Sequence, residues 1–172
     1  MSTGKEILED FIRESKKIIQ ESMVVLDKVE GNLVQAKNLK DYGNLVDRII
    51  GGAKSVALDL APSHALNLVS DYAAVCKAVG YKASQISDNE QFFDVCVALL
   101  QDATETLDTL LDNVDKSRDE LRKTLSSTFI DRLSWVSKKF SSEYHGTVGV
   151  LAPENKTLVQ SEIDELIKKL GA

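Results

Sequence analysis

The side chains best suited to chemistry in this 172-residue sequence are two cysteines, two histidines and a charged run built around a pair of glycines. Cys76 and Cys96 have nineteen residues between them, and neither has a second cysteine or a histidine at metal-ligand spacing. A disulfide is one reading of the pair. The absence of a secretory apolar region favours the other, two small buried hydrophobes in a reducing cytoplasm. His64 stands before a helical pattern and reads as a surface or capping residue, and His145 falls in a linker-like stretch. The richer constellation is Asp47-Arg-Ile-Ile-Gly-Gly-Ala-Lys54, where offsets of three and four residues bring Asp47, Arg48, Gly51 and Lys54 onto one helix face. Each glycine inside a helix costs about 0.5–1 kcal/mol relative to alanine. Either the glycines make room for a neighbouring core helix, or they form a recognition surface with the charged residues beside them.

The elements that position these residues are helical. Leu8, Phe11, Ile18, Ile19, Val25, Leu26 and Val29 form one stripe at helical period, ended by Gly31-Asn32. A second helix covers residues 44–60 and stops before Pro62, and Asp41-Tyr-Gly-Asn44 is either a turn before it or its continuous beginning. Ser63 is placed to cap a third helix that ends near Gly80. A fourth starts around Ser87 to Asn89 and runs to Val114; it is the most apolar and is expected at the centre of the core. Leu121, Leu125, Phe129, Leu133, Val136 and Phe140 continue as one long fifth helix. The predicted fold is all-α: a four- or five-helix bundle over 1–140, a flexible linker over 141–157 and a short C-terminal amphipathic helix over 158–172.

Composition narrows the function classes. A formal charge of −6 and a pI near 5.0 argue against a nucleic-acid partner, whose affinity rests on basic clusters. No apolar run approaches 18 residues, which argues against a membrane span and for a cytoplasmic protein. The C-terminal LVQSEIDELIKKLGA carries a capping box from Ser161 to Asp164, acids early, Lys168 and Lys169 late, and Gly171 at its stop. Ile163, Leu166, Ile167 and Leu170 give it a narrow apolar edge. A helix this short is marginal alone, so it folds either onto its own bundle or into a partner's groove.

The stretch Asp47-Arg48-Ile49-Ile50-Gly51-Gly52-Ala53 resembles the H-x-x-K-G segment of the histidine-phosphotransfer domains of chemotaxis kinases. Residues 11–31 are similar to that family's first bundle helix, and HALNLVSDYAAVCKAV to the helix after the active one. Asp47 stands where the family has its phosphoacceptor histidine and Ile50 where it has an activating lysine, which excludes ordinary histidine phosphorelay through this site. The tail resembles the L-S-Q-x-E-I-D-x-L-L peptide by which the flagellar switch protein binds the phosphorylated chemotaxis response regulator, and the C-terminal peptide of the chemotaxis phosphatase. Leu158, Gln160, Glu162, Ile163, Asp164, Leu166 and Ile167 match the first pattern, and Leu170-Gly171-Ala172 approximates the end of the second, with Val159 and Ala172 as departures.

These resemblances imply a phosphorylated chemotaxis response regulator as partner. Phosphatases of that receiver present a carboxylate and an amide from a helix: the amide orients water in line with the aspartyl phosphate and the acid holds a receiver lysine. Two pairs match the three-residue spacing, Asp41 with Asn44 and Asp88 with Gln91, although the first also reads as a turn or cap and the second as the amino-terminal turn of helix four. No cofactor of the chain's own is implied, and any Mg²⁺ belongs to the bound receiver. The alternatives are a non-catalytic adaptor or signal sink, and a purely structural helical homodimer whose tail packs on its own bundle.

Overall fold

The protein, a computed structural model, is described over residues 2–143 and 160–170. Among them are seven α-helices and one 3-10 segment, with no strand, so the chain is all-α. The first apolar stripe forms α1, Ser2–Val29, with Ile18, Ile19, Leu26 and Val29 buried. Gly31 ends it at φ +67, a left-handed conformation that glycine adopts without a Cβ penalty.

The 3-10 segment Leu33–Asn38 feeds straight into α2, Leu39–Ala57. Of the two readings of Asp41–Asn44, the continuous helix is therefore the observed one. Its start is fixed by Leu39 and Tyr42, both fully buried, which anchor this turn to the core.

Helix α3, Ala65–Ala83, begins one residue later than expected: His64, not Ser63, is the cap, its Nδ1 accepting from the Leu66 N–H at 3.1 Å. Ser63 instead gives its carbonyl to the Arg118 N–H at 2.9 Å, tying the next connection to this corner. The bundle's centre is α3 rather than the expected fourth helix. Leu66, Leu68, Val69, Ala73, Val75, Cys76 and Val79 point to several sides and all are buried, and α2 and the helices Glu90–Asp112, Arg118–Lys123 and Gln160–Lys169 all pack on this helix. Alanine, serine, cysteine and glycine give α3 a thin cross-section, so neighbours close in around it. Helix α4, Glu90–Asp112, is apolar on one side and leaves Val95 40% exposed, which is why its high hydrophobicity does not make it central.

The expected fifth helix is two, α5 at Arg118–Lys123 and α6 at Ser127–Glu143. Ser126 breaks the run, accepting from the Phe129 N–H at 3.4 Å, while a Ser117–Glu120 capping box starts α5. Helix α6 continues past residue 140, the expected end of the bundle, to Glu143.

The last element, α7, Gln160–Lys169, packs on α3 and α6. Ile163, Ile167 and Leu170 are 2%, 4% and 1% exposed, as deeply placed as the core itself. The apolar edge of the tail thus meets its own bundle in this structure, the first of the two fates open to so short a helix.

Cys76 and Cys96 are free and buried, so no disulfide joins them. Burial pushes the Cys76 thiol up to about 12 and raises that of Cys96 as well, which keeps both protonated and unreactive.

Candidate functional site

The site is built where α2 and α3 lie antiparallel, and its closeness depends on a reciprocal glycine arrangement. A Cβ at Gly43 of α2 would lie 2.8 Å from the Tyr81 ring of α3, and a Cβ at Gly80 of α3 would lie 2.8 Å from the Tyr42 ring of α2. Each helix offers a bare backbone patch to the other's tyrosine. Tyr42 is fixed further: the Thr104 hydroxyl donates to the Leu100 carbonyl at 2.6 Å, so the Tyr42 hydroxyl is the donor in its 2.9 Å bond to Thr104. Burial raises the Tyr42 pKa well above the usual phenol value, in keeping with that donor role.

On the solvent side of this seam Asp41, Asn44, Asp47, Arg48, Gly51 and Lys54 are all exposed along α2. The Tyr81 hydroxyl donates to Asn44 Oδ1 at 2.5 Å. Burial pushes the Tyr81 pKa up, Lys77 opposes that and Asp47 adds to it, so the phenol keeps its proton and remains a donor at neutral pH. With its oxygen engaged by Tyr81, Asn44 is left with its Nδ2 hydrogens as donors for a ligand. One turn on, Lys77 of α3 bonds Asp47 Oδ1 at 2.7 Å and lies 5.8 Å from the Tyr81 ring centroid.

Sequence reasoning identified the α2 residues but missed Tyr81 and Lys77. The signal was the pair Lys77 and Tyr81, four residues apart and so on one face of α3, which in antiparallel register falls opposite Asp47 and Asn44.

No family model, curated protein or solved structure matches the chain. The site is therefore read from its own geometry.

That geometry separates the two carboxylate–amide pairs. Asp41 and Asn44 sit within α2, one turn apart on a continuous helix. Asp88 and Gln91 straddle a helix start, because Asn89 is the cap of α4 and accepts from the Phe92 N–H at 3.0 Å. Asp88 precedes the cap, so the second pair lacks the helical geometry that its spacing suggested. Ile50, aligned with the activating lysine of the phosphotransfer motif, is buried and faces the core rather than the Asp47 surface.

The glycine pair divides between its two readings. A Cβ at Gly51 would meet nothing within 4 Å, whereas one at Gly52 would lie 2.9 Å from the Phe11 ring of α1. Gly51 belongs to the exposed face and Gly52 to the core contact. Gly51→Ala should accordingly raise stability by about 0.5–1 kcal/mol through helix propensity. Gly52→Leu should instead lower it by about 1–3 kcal/mol through overpacking against Phe11. Thermal melts of the two variants moving in the same direction would contradict this division.

Of the tail residues, Ile163, Ile167 and Leu170 are buried, Leu166 is half-buried and Asp164 is exposed. Leu158 and His145 lie outside the described residues, as do the side chains of Gln160 and Glu162. Asp164 Oδ1 is 3.1 Å from Ser137 Oγ of α6. Lys82 of α3 lies 5.6 Å from the Phe140 ring centroid; its pKa is lowered by burial, with the nearby Asp164 charge acting in the opposite sense. Among the described residues no cluster of three or more His, Cys, Asp or Glu side chains is placed to hold a metal, and no helix is long and apolar enough to cross a membrane.

Proposed function

We propose that the chain binds a phosphorylated response-regulator receiver through the exposed face of α2 and accelerates hydrolysis of its aspartyl phosphate. The observation that carries the reading is the anchored amide: Asn44 is held by Tyr81 with Asp41 one turn away, both open to solvent. In this mechanism the Asn44 amide orients a water against the phosphorus, and Asp41 holds the receiver's lysine. The P–O bond to the receiver aspartate breaks as the water oxygen bonds to phosphorus, giving inorganic phosphate and the free carboxylate. The chain supplies position and charge, not a nucleophile. The Mg²⁺ of such a reaction is the receiver's own.

Asp47 carries no transferable phosphoryl group in this reading. Paired with Lys77, it forms part of the contact surface beside Arg48, Gly51 and Lys54. Gly51 leaves a flat patch in that surface, so Gly51→Trp should weaken binding of phosphorylated receiver at least about tenfold through steric exclusion, equivalent to about 1.4 kcal/mol. Its circular dichroism should match the parent's. Unchanged affinity would place the contact elsewhere.

A second reading has one observation in its favour. The buried Ile163, Ile167 and Leu170 fit a helical protein whose tail completes its own core. In that case the full chain shows no affinity for the phosphorylated receiver in the same titration.

A further inference from the structure

Trp135, the chain's single tryptophan, is 51% exposed on α6, and Val95 is 40% exposed on α4. They belong to one flank. The Trp135 ring stands edge-on to the buried Phe92 of α4 at 6.1 Å, and Arg132 of α6 bonds Asp102 of α4 at 2.7 Å. At about 100° per residue, Val95 falls between Phe92 and Asp102 around α4, so it opens on the α4–α6 seam beside the indole. Exposed Ala98 carries the apolar strip outward. An aromatic anchor beside small and aliphatic side chains is the composition of an interface core.

The charges around the strip say what covers it. Helix α4 carries Glu90, Asp94 and Asp102 along this stretch and has no lysine or arginine, whereas α6 sets Arg132, Lys138 and Lys139 against Asp131 and Glu143. Outward from the seam, Asp94 borders Ala98 on one side and Lys138 borders Trp135 on the other. The antiparallel register, with Phe92 beside Trp135 and Phe140 and Asp102 beside Arg132, puts Asp94 level with Lys138. Both are exposed, and neither enters a hydrogen bond or ion pair among the described residues. A surface acidic on one side of a line and basic at the same height on the other is complementary to itself when turned about that line. We infer that the α4–α6 seam is a homodimer interface whose two-fold axis runs along the seam. That rotation lays α4 of one copy over α6 of the other, so Trp135 covers the partner's Val95 and Ala98, and Asp94 meets the partner's Lys138. An axis across the seam would set α4 on α4, acid against acid. The flank from Gln91 to Asp102 is about 18 Å long, so the interface is small and the dimer weak. No residue of α2 and no phosphorylated partner enters this inference.

Sedimentation equilibrium and Trp135 emission of the full chain, followed together from about 1 µM to about 1 mM, test the dimer. The mass should rise from one chain to two, and emission should move to shorter wavelength over the same range as water leaves the indole. Asp94→Lys and Lys138→Asp should each weaken the dimer about tenfold, and the double variant should recover it, because the exchanged charges meet again across the axis. Val95→Asp, which keeps the tryptophan as reporter, should weaken it at least as much. All three substitutions are at exposed positions, so circular dichroism should match the parent's. A mass that stays that of one chain up to about 1 mM overturns the inference, whether the emission shows the indole wet or covered by another part of its own chain. A dimer that forms without an emission change, that tolerates Val95→Asp, or that the double charge variant fails to restore overturns the seam as its interface.

Discussion

Gly80→Leu should destabilise the chain by about 3 kcal/mol or more, at the upper end of what overpacking a core costs. Any side-chain carbon at this position meets the Tyr42 ring at 2.8 Å, and Tyr42 cannot swing away because it is fully buried and bonded to Thr104. Gly43 faces the same geometric demand from Tyr81, but Tyr81 is only partly buried and has solvent on one side. Gly43→Ala should therefore cost much less than Gly80→Ala, and part of that cost is offset by about 0.8–1.0 kcal/mol of helix propensity. For a chain of this length about 3 kcal/mol corresponds to a fall of roughly 6–12 °C in Tm. Melting the three variants in parallel checks the order; Gly43→Ala falling further than Gly80→Ala would mean that the buried tyrosine is the more adaptable of the two.

Asn44→Ala should return the decay of the phosphorylated receiver to the receiver's own rate, a loss of about 10²-fold if one positioned hydrogen-bond donor carries the acceleration as it does in other preorganised sites. The substitution is at an exposed position, so folding should be unaffected. Tyr81→Phe removes the 2.5 Å bond that orients the amide while leaving the amide itself, so it should lower the rate only several-fold. Asp41→Asn should weaken the hold on the receiver's lysine. Gln91→Ala should do nothing, because its partner Asp88 lies outside the helix. Wild-type acceleration by Asn44→Ala together with loss in Gln91→Ala would move the site from α2 to the start of α4.

The stripes that specify α1 and the buried side of α4 were readable from period alone, since Leu26, Val29, Phe93, Cys96, Leu100 and Leu107 recur where a helix packed on one side requires them. The division between α5 and α6 was harder to see. Leu121 and Phe129 keep the four-residue rhythm through the break, and the stop is a local event at Ser126, whose hydroxyl caps the next helix. The central place of α3 was hidden because its apolar residues are spread around the helix rather than gathered in one stripe, and its small residues matter through what they let approach.

The site was half legible. Asp47, Arg48, Gly51 and Lys54 could be assigned to one face of α2 by spacing, whereas Asp41 and Asn44 were open between a turn and a continuous helix; all six are exposed. Tyr81 could not be linked to Asn44 across 37 residues, because that contact depends on α2–α3 register, and the register is set by glycines whose role leaves no side-chain pattern. The two glycines at 51 and 52 illustrate the same limit. Adjacent and chemically identical, they point to opposite environments, and a rotation of about 100° around the helix separates them. The tail's helix could be read from its caps and charges, whereas its docking place required the groove that α3 and α6 make together.

The activity proposed for this chain is to speed the loss of phosphate from a receiver. The most direct measurement loads a purified chemotaxis receiver with a small-molecule phosphodonor, removes the donor, and follows release of inorganic phosphate with increasing amounts of the full chain. The expected rate rises with the chain, saturates, and drops to the receiver's own with Asn44→Ala. A rate equal to that of the receiver alone at every concentration of chain would contradict it.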